Sequence, residues 1–159
     1  MAARLAAKPA YSYRADTNVP RFDDSQPVII YDGVCVLCSR SMRAIAARDT
    51  AGHFRFASAQ SALGRALYAH YGLDVENFET VLLVENGSAL GKLDMPLAIA
   101  RVLGGPWRLF GLFRPLPQKL RDRAYDLVAQ SRYRLFGRSE TCMVPDASWR
   151  RRVVEGGDA

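Results

Sequence analysis

The chain has 159 residues, 49% of them apolar and 24% charged, with a formal net charge of +6. That length suits one domain whose core holds without disulfide staples, which are needed chiefly below roughly 70–80 residues. The composition is that of an ordinary globular protein without repeats or low-complexity segments, and no stretch approaches the roughly 20 apolar residues that cross a bilayer as a helix.

From the start, Arg4 and Lys8 are basic and the first acid is Asp16. The stretch lacks the apolar core of about 7–15 residues that marks a secretory signal. Pro9, Asn18, Pro20 and Asp23-Asp24 punctuate it without periodicity, so residues 1–26 read as a loosely ordered arm. Val28 to Tyr31 is a short β-rich run ending at the turn Asp32-Gly33. From Cys35 the spacing of Cys38, Met42, Ile45 and Ala46 is helical, closed by Asp49 to Gly52. His53 to Phe56 reads as a second strand. Ser61 opens a helix through Leu63, Leu67 and Tyr71, stopped by Gly72. Thr80 to Val84 is a third strand, Asn86-Gly87 a hairpin turn, and Ala89 to Leu93 the return strand. Asp94 is placed to cap the next helix, with Pro96 in its first turn, and Gly104-Gly105-Pro106 ends it. Two more helical stretches follow, Trp107 to Phe113 and Pro117 to Phe136.

Two of the three cysteines form Cys35-Val36-Leu37-Cys38. An odd count argues against a disulfide-stapled secreted domain, and inside a cell such a pair points to redox or metal chemistry. The pair opens a helix. There the first amide N–H groups lack intrahelical partners and the helix dipole adds positive charge, so a thiolate at Cys35 is favoured. Cys38, one turn on, can resolve a mixed disulfide. Asp32 has two readings: it takes the proton of Cys38 during exchange, or it shapes the turn with Gly33. Zinc would need further ligands from Cys142, His53 or His70, and neither a second Cys-x-x-Cys nor a His-x-x-x-His supplies them. No metal or other cofactor is therefore expected, and both histidines read as structural or solvent-facing.

The run Tyr31-Asp32-Gly33-Val34-Cys35-Val36-Leu37-Cys38 resembles the signature of the DCC family of thiol-disulfide oxidoreductases, named for Asp-x-x-Cys-x-x-Cys. Phe54 to Ala57 with Gln60-Ser61, Leu103 to Arg108, Arg132 to Gly137, and Cys142 are similar to further family stretches, so the resemblance spans about Val28 to Pro145. It implies a thioredoxin-like α/β fold and a redox role. The expected order, β-α-β then β-β-α around a four-stranded mixed sheet with extra C-terminal helices, agrees with that fold. The chain departs from thioredoxin itself in having no proline near Thr80, where thioredoxins carry a cis-proline, and no Trp before the motif. Its partner-binding surface is expected to differ.

Cys142 reads either as a third redox thiol or as a small buried apolar residue. Pro117 to Phe136 is basic and amphipathic, with Leu120, Leu127, Val128 and Leu135 on one face. It reads as a helical cap, with a membrane-surface or acidic-partner role as the alternative; nucleic acid is not expected, since no binding motif accompanies the charge. The expected organisation is an arm over 1–26, a thioredoxin-like domain with its helical extension over 27–145, and a tail over 146–159. The expected function is cytoplasmic thiol–disulfide exchange on a protein or small-thiol disulfide, with Cys35 as nucleophile, Cys38 as resolving thiol and Asp32 assisting. The electron donor is not legible. The alternative is a non-catalytic module that docks through its basic C-terminal helices.

Overall fold

The computed structural model describes residues 5–78, 80–113, 115–137 and 147–156. Strands β1 (Val28–Tyr31), β2 (Arg55–Ser58), β3 (Leu82–Glu85) and β4 (Ser88–Gly91) form one mixed sheet in the order β2-β1-β3-β4. Helix α1 (Val36–Arg48) links β1 to the parallel β2, and α2 (Ala62–His70) leads on to β3. β3 runs antiparallel to β1 and pairs with β4 as a hairpin. Helix α3 (Asp94–Leu103), a 3-10 segment (Gly105–Phe113), α4 (Gln118–Phe136) and the short α5 (Ala147–Arg150) follow. This is the thioredoxin-like arrangement.

β1 is apolar at every position because helices cover both faces of the sheet. Successive side chains alternate. Val28 and Ile30 join Leu63, Leu67 and Tyr68 of α2, while Ile29 and Tyr31 join Met42 and Ile45 of α1 and Ile99 of α3. Two glycines are fixed by geometry. At Gly64 a Cβ would stand 2.1 Å from the Ser58 carbonyl oxygen, so α2 crosses the end of β2 only because a hydrogen is there. Asn86 and Gly87 both have positive φ, 49° and 75°, as the tight hairpin requires.

Several boundaries differ from expectation, each for a local reason. β2 starts two residues late because the Asp49 carboxylate accepts the N–H groups of His53 and Phe54, both at 2.9 Å. β3 starts at Leu82 because Val81 N–H donates to Tyr125 Oη at 3.2 Å, and the Thr80 carbonyl accepts from Tyr68 Oη. Asp94 does not cap α3: Leu93 is the N-cap residue and makes no side-chain cap, while Asp94 lies in the first turn and accepts from Arg121 at 2.7 Å.

The described part of the N-terminal segment is attached to the domain. Tyr13, Val19 and Phe22 are buried in the core, Ala6 N–H donates to the Tyr71 carbonyl, and Tyr11 N–H to that of Gly87. His70 lies between Ser12 Oγ (3.0 Å from Nε2) and Asp16 Oδ2 (2.7 Å from Nδ1), fastening the segment to the end of α2. These anchors sit in irregular chain or in the four-residue 3-10 turn Ser12–Ala15, too short for a period to betray them. Residues 147–156 likewise close the sheet edge. Val153 bridges Phe56 in parallel register, Trp149 stacks on Phe56 at 4.4 Å, and Arg152 reaches the buried Asp49. An otherwise open edge of β2 is thereby covered.

α4 docks through Arg121, Tyr125 and Asp126 rather than through its leucines. Arg121 pairs with Asp94, Tyr125 meets Val81, and Asp126 pairs with Lys92 at 3.2 Å. Leu120, Leu127 and Val128 are exposed instead. Among the described residues no helix is long and apolar enough to cross a membrane.

Candidate active site

The site is built where β1 ends. Tyr31 is the last strand residue, Asp32-Gly33 turns the chain, and Cys35 N–H donates to the Asp32 carbonyl at 3.3 Å. Cys35 is the N-cap residue of α1, in extended conformation. Its sulfur takes the place usually held by a Ser or Asp oxygen: Cys38 N–H donates to Cys35 Sγ at 3.3 Å. Cys38 Sγ donates to the same sulfur at 2.7 Å, so the two stand as a thiol pair. Both hydrogen bonds point at Cys35, as does the positive end of the α1 dipole, so negative charge is better placed on Cys35 than on Cys38.

Cys35 is 0% exposed and Cys38 6%. The sheet face around them is packed with Ile29, Tyr31, Met42 and Leu83, and Trp149 stands edge-on to Tyr31 at 6.2 Å. The thiol nearer to access is Cys38, which lines a cavity between α1, α3 and α4.

Asp32 is buried, at 1% exposure. Its Oδ1 accepts from Val34 N–H at 3.1 Å and from Gln60 Nε2 at 2.7 Å. Gln60 Oε1 accepts in turn from Gly33 N–H at 3.0 Å and Ser58 Oγ at 2.7 Å. Ser39 Oγ donates to the Gly33 carbonyl at 3.2 Å. The turn that presents the cysteines is thus clamped from β2 and from α1. Gln60 was visible only as part of the stretch Gln60-Ser61; Trp149 and Tyr125 carried no sequence signal, since both come from segments remote in the chain.

His70 serves the N-terminal segment, and His53 N–H is bound to Asp49. Among the described residues no three His, Cys, Asp or Glu side chains cluster as metal ligands would. Cys142, and with it any return of a third thiol to the site, lies outside the described residues.

The family model of DCC1-like thiol-disulfide oxidoreductases matches residues 29–138, which include Asp32 and both clustered cysteines. An uncharacterized protein of Bacillus subtilis, YuxK, is 38% identical over 127 residues, covering 80% of this chain and 93% of its own. A chloroplastic DCC family protein of Arabidopsis thaliana is 32% identical over 121 residues, covering 76% of this chain and 70% of its own. No solved structure matches the chain significantly. With a cysteine pair at the head of α1 and a family model spanning most of its length, the chain belongs to the DCC1-like thiol-disulfide oxidoreductase family.

Proposed function

We propose that this protein is a thiol–disulfide oxidoreductase in which Cys35 attacks and Cys38 resolves. The observation that carries this reading is the 2.7 Å approach of Cys38 Sγ to Cys35 Sγ, both at the first turn of α1. A covalent S–S bond is about 2.05 Å, so closing the pair needs only a small shift of one side chain. The Cys35 thiolate attacks one sulfur of a substrate disulfide, the substrate S–S bond breaks, and the departing thiolate takes up a proton. Cys38, deprotonated, then attacks Cys35 Sγ and releases the second substrate thiol. Two electrons pass from the dithiol to the substrate, and the reverse sequence oxidises a substrate dithiol.

Asp32 is the proposed acceptor of the Cys38 proton, because resolution takes place where bulk water has little entry. The substrate is a protein or small-molecule disulfide, and no resident cofactor is needed. A reducing compartment such as the cytoplasm suits a buried, free thiol pair. Trapping tests the assignment: Cys38→Ser should accumulate a mixed disulfide on Cys35, and Cys35→Ser should not. Accumulation on Cys38 in the Cys35→Ser protein alone would reverse the roles.

A second reading is a docking module that uses the C-terminal helices. It is favoured by one observation: Leu109, Leu112, Leu120 and Leu127 are 64%, 69%, 51% and 70% exposed among basic residues. Such a surface fits an anionic membrane.

A further inference from the structure

Cys38 lies in the wall of a half-open cavity of about 360 Å³ lined by α1, α3, the 3-10 segment and α4. Cys35 does not line it and is wholly buried. The remaining wall is largely apolar, from residues such as Leu37, Met42, Met95, Trp107 and Ala129. Its hydroxyl groups are already engaged. Ser41 Oγ donates to the Leu37 carbonyl at 2.9 Å, and Tyr125 Oη accepts Val81 N–H at 3.2 Å. A polar occupant would therefore leave its water and regain few hydrogen bonds.

We propose that this cavity is a substrate pocket for a small disulfide with an apolar arm, which enters past Cys38 and delivers its sulfur to the pair. The inference rests on the exchange reading above and names its substrate class. At about 30 Å³ for a water-sized group, the cavity holds roughly a dozen heavy atoms, enough for an unbranched or aromatic arm. With the arm seated, one thiolate of the pair attacks the nearer sulfur and the outer half leaves as its thiol. The other cysteine then closes on the first and frees the seated thiol, so that one disulfide and the protein dithiol become two thiols and the Cys35–Cys38 disulfide.

Dipentyl disulfide and bis(2-hydroxyethyl) disulfide separate the possibilities. The reduced protein is given each in turn, and kcat/KM is normalised to the rate of the same disulfide with free dithiothreitol. Three further buried methylenes, at roughly fourfold each, should favour the pentyl compound by about 50-fold. Ala129→Trp, or Ala129→Leu if the first variant melts early, should fill the cavity and cut that preference at least fivefold. A preference near that of dithiothreitol, or one that both variants leave intact, overturns the pocket. If neither disulfide exchanges, the redox reading fails on its own. The pocket is then judged by dipentyl sulfide, which cannot exchange. Saturable quenching of tryptophan emission, weakened by the Ala129 variants, supports it, and absence of binding to the reduced wild-type protein overturns it.

Discussion

Gln60 Nε2 donates to Asp32 Oδ1 at 2.7 Å, and through its other amide atom Gln60 also holds Gly33 N–H. One side chain from beyond β2 therefore fixes the turn that carries the cysteines. If Asp32 accepts the Cys38 proton, Asp32→Asn should slow resolution by about 10²–10⁴ while initial attack by Cys35 stays within a few-fold. Quenched-flow measurement of mixed-disulfide formation and decay separates the two steps. Gln60→Ala, which removes the clamp and leaves the carboxylate, should lower thermal stability more than it slows resolution. A loss of melting temperature in Asp32→Asn with unchanged resolution would make Asp32 a turn residue only.

Gly64→Ala should be severely destabilising. The new methyl would meet backbone on two sides, Ser58 O at 2.1 Å and Ala59 Cα at 2.7 Å, and neither can move as a side-chain tip could. Overpacking costs about 1–3 kcal/mol where side chains yield, and more is expected here. Urea denaturation of Gly64→Ala beside Gly111→Ala, whose Cβ would meet nothing within 4 Å, gives the comparison.

The native state should weaken in acid. The hydrogen bond from Arg14 holds the Asp24 carboxyl below its usual 3.8, and the one from His70 does the same for Asp16. Depressed native values mean that the folded chain binds fewer protons than the unfolded chain as the pH falls. The stabilisation is present above about 3.8 and is lost as the pH drops through the native values. Melting temperature should therefore fall between about pH 5 and 3, and Asp24→Asn should flatten that limb. At the alkaline end, burial pushes the Tyr13 hydroxyl upward, so stability should also decline as the pH rises past the ordinary tyrosine value of 10.

The sheet and the helix that bears the thiols were legible because their signals are local: a β-rich run, a turn, then 3.6-residue spacing from Cys35. The accessibility of the thiols was not, because Trp149 and α4 reach the site from far along the chain. The docking face of α4 was not legible for a related reason. Leucines normally mark the buried stripe, yet here Arg121, Tyr125 and Asp126 make the contacts through partners on α3, before β3 and after β4. Aromatic anchors such as Tyr13, in a four-residue 3-10 turn, and Phe22, in irregular chain, have no period to read.

The leucines left outside give the docking reading its own test. If that surface binds anionic membranes, the protein should co-sediment with vesicles rich in phosphatidylserine, less so as salt rises. Leu112→Glu with Leu127→Glu should abolish the association and leave disulfide exchange unaffected. Absence of binding at low salt would restrict α4 to a cap.

The central claim is that Cys35 and Cys38 form one reversible redox couple, and equilibration against glutathione buffers tests it most directly. The protein should pass from two free thiols to one mapped Cys35–Cys38 disulfide along a two-electron curve, about 30 mV per tenfold change in ratio, with the fold intact. Cys35→Ser should show no such transition. Failure to form the intramolecular disulfide at any ratio, with only glutathionylated or intermolecularly linked protein appearing, would contradict the account.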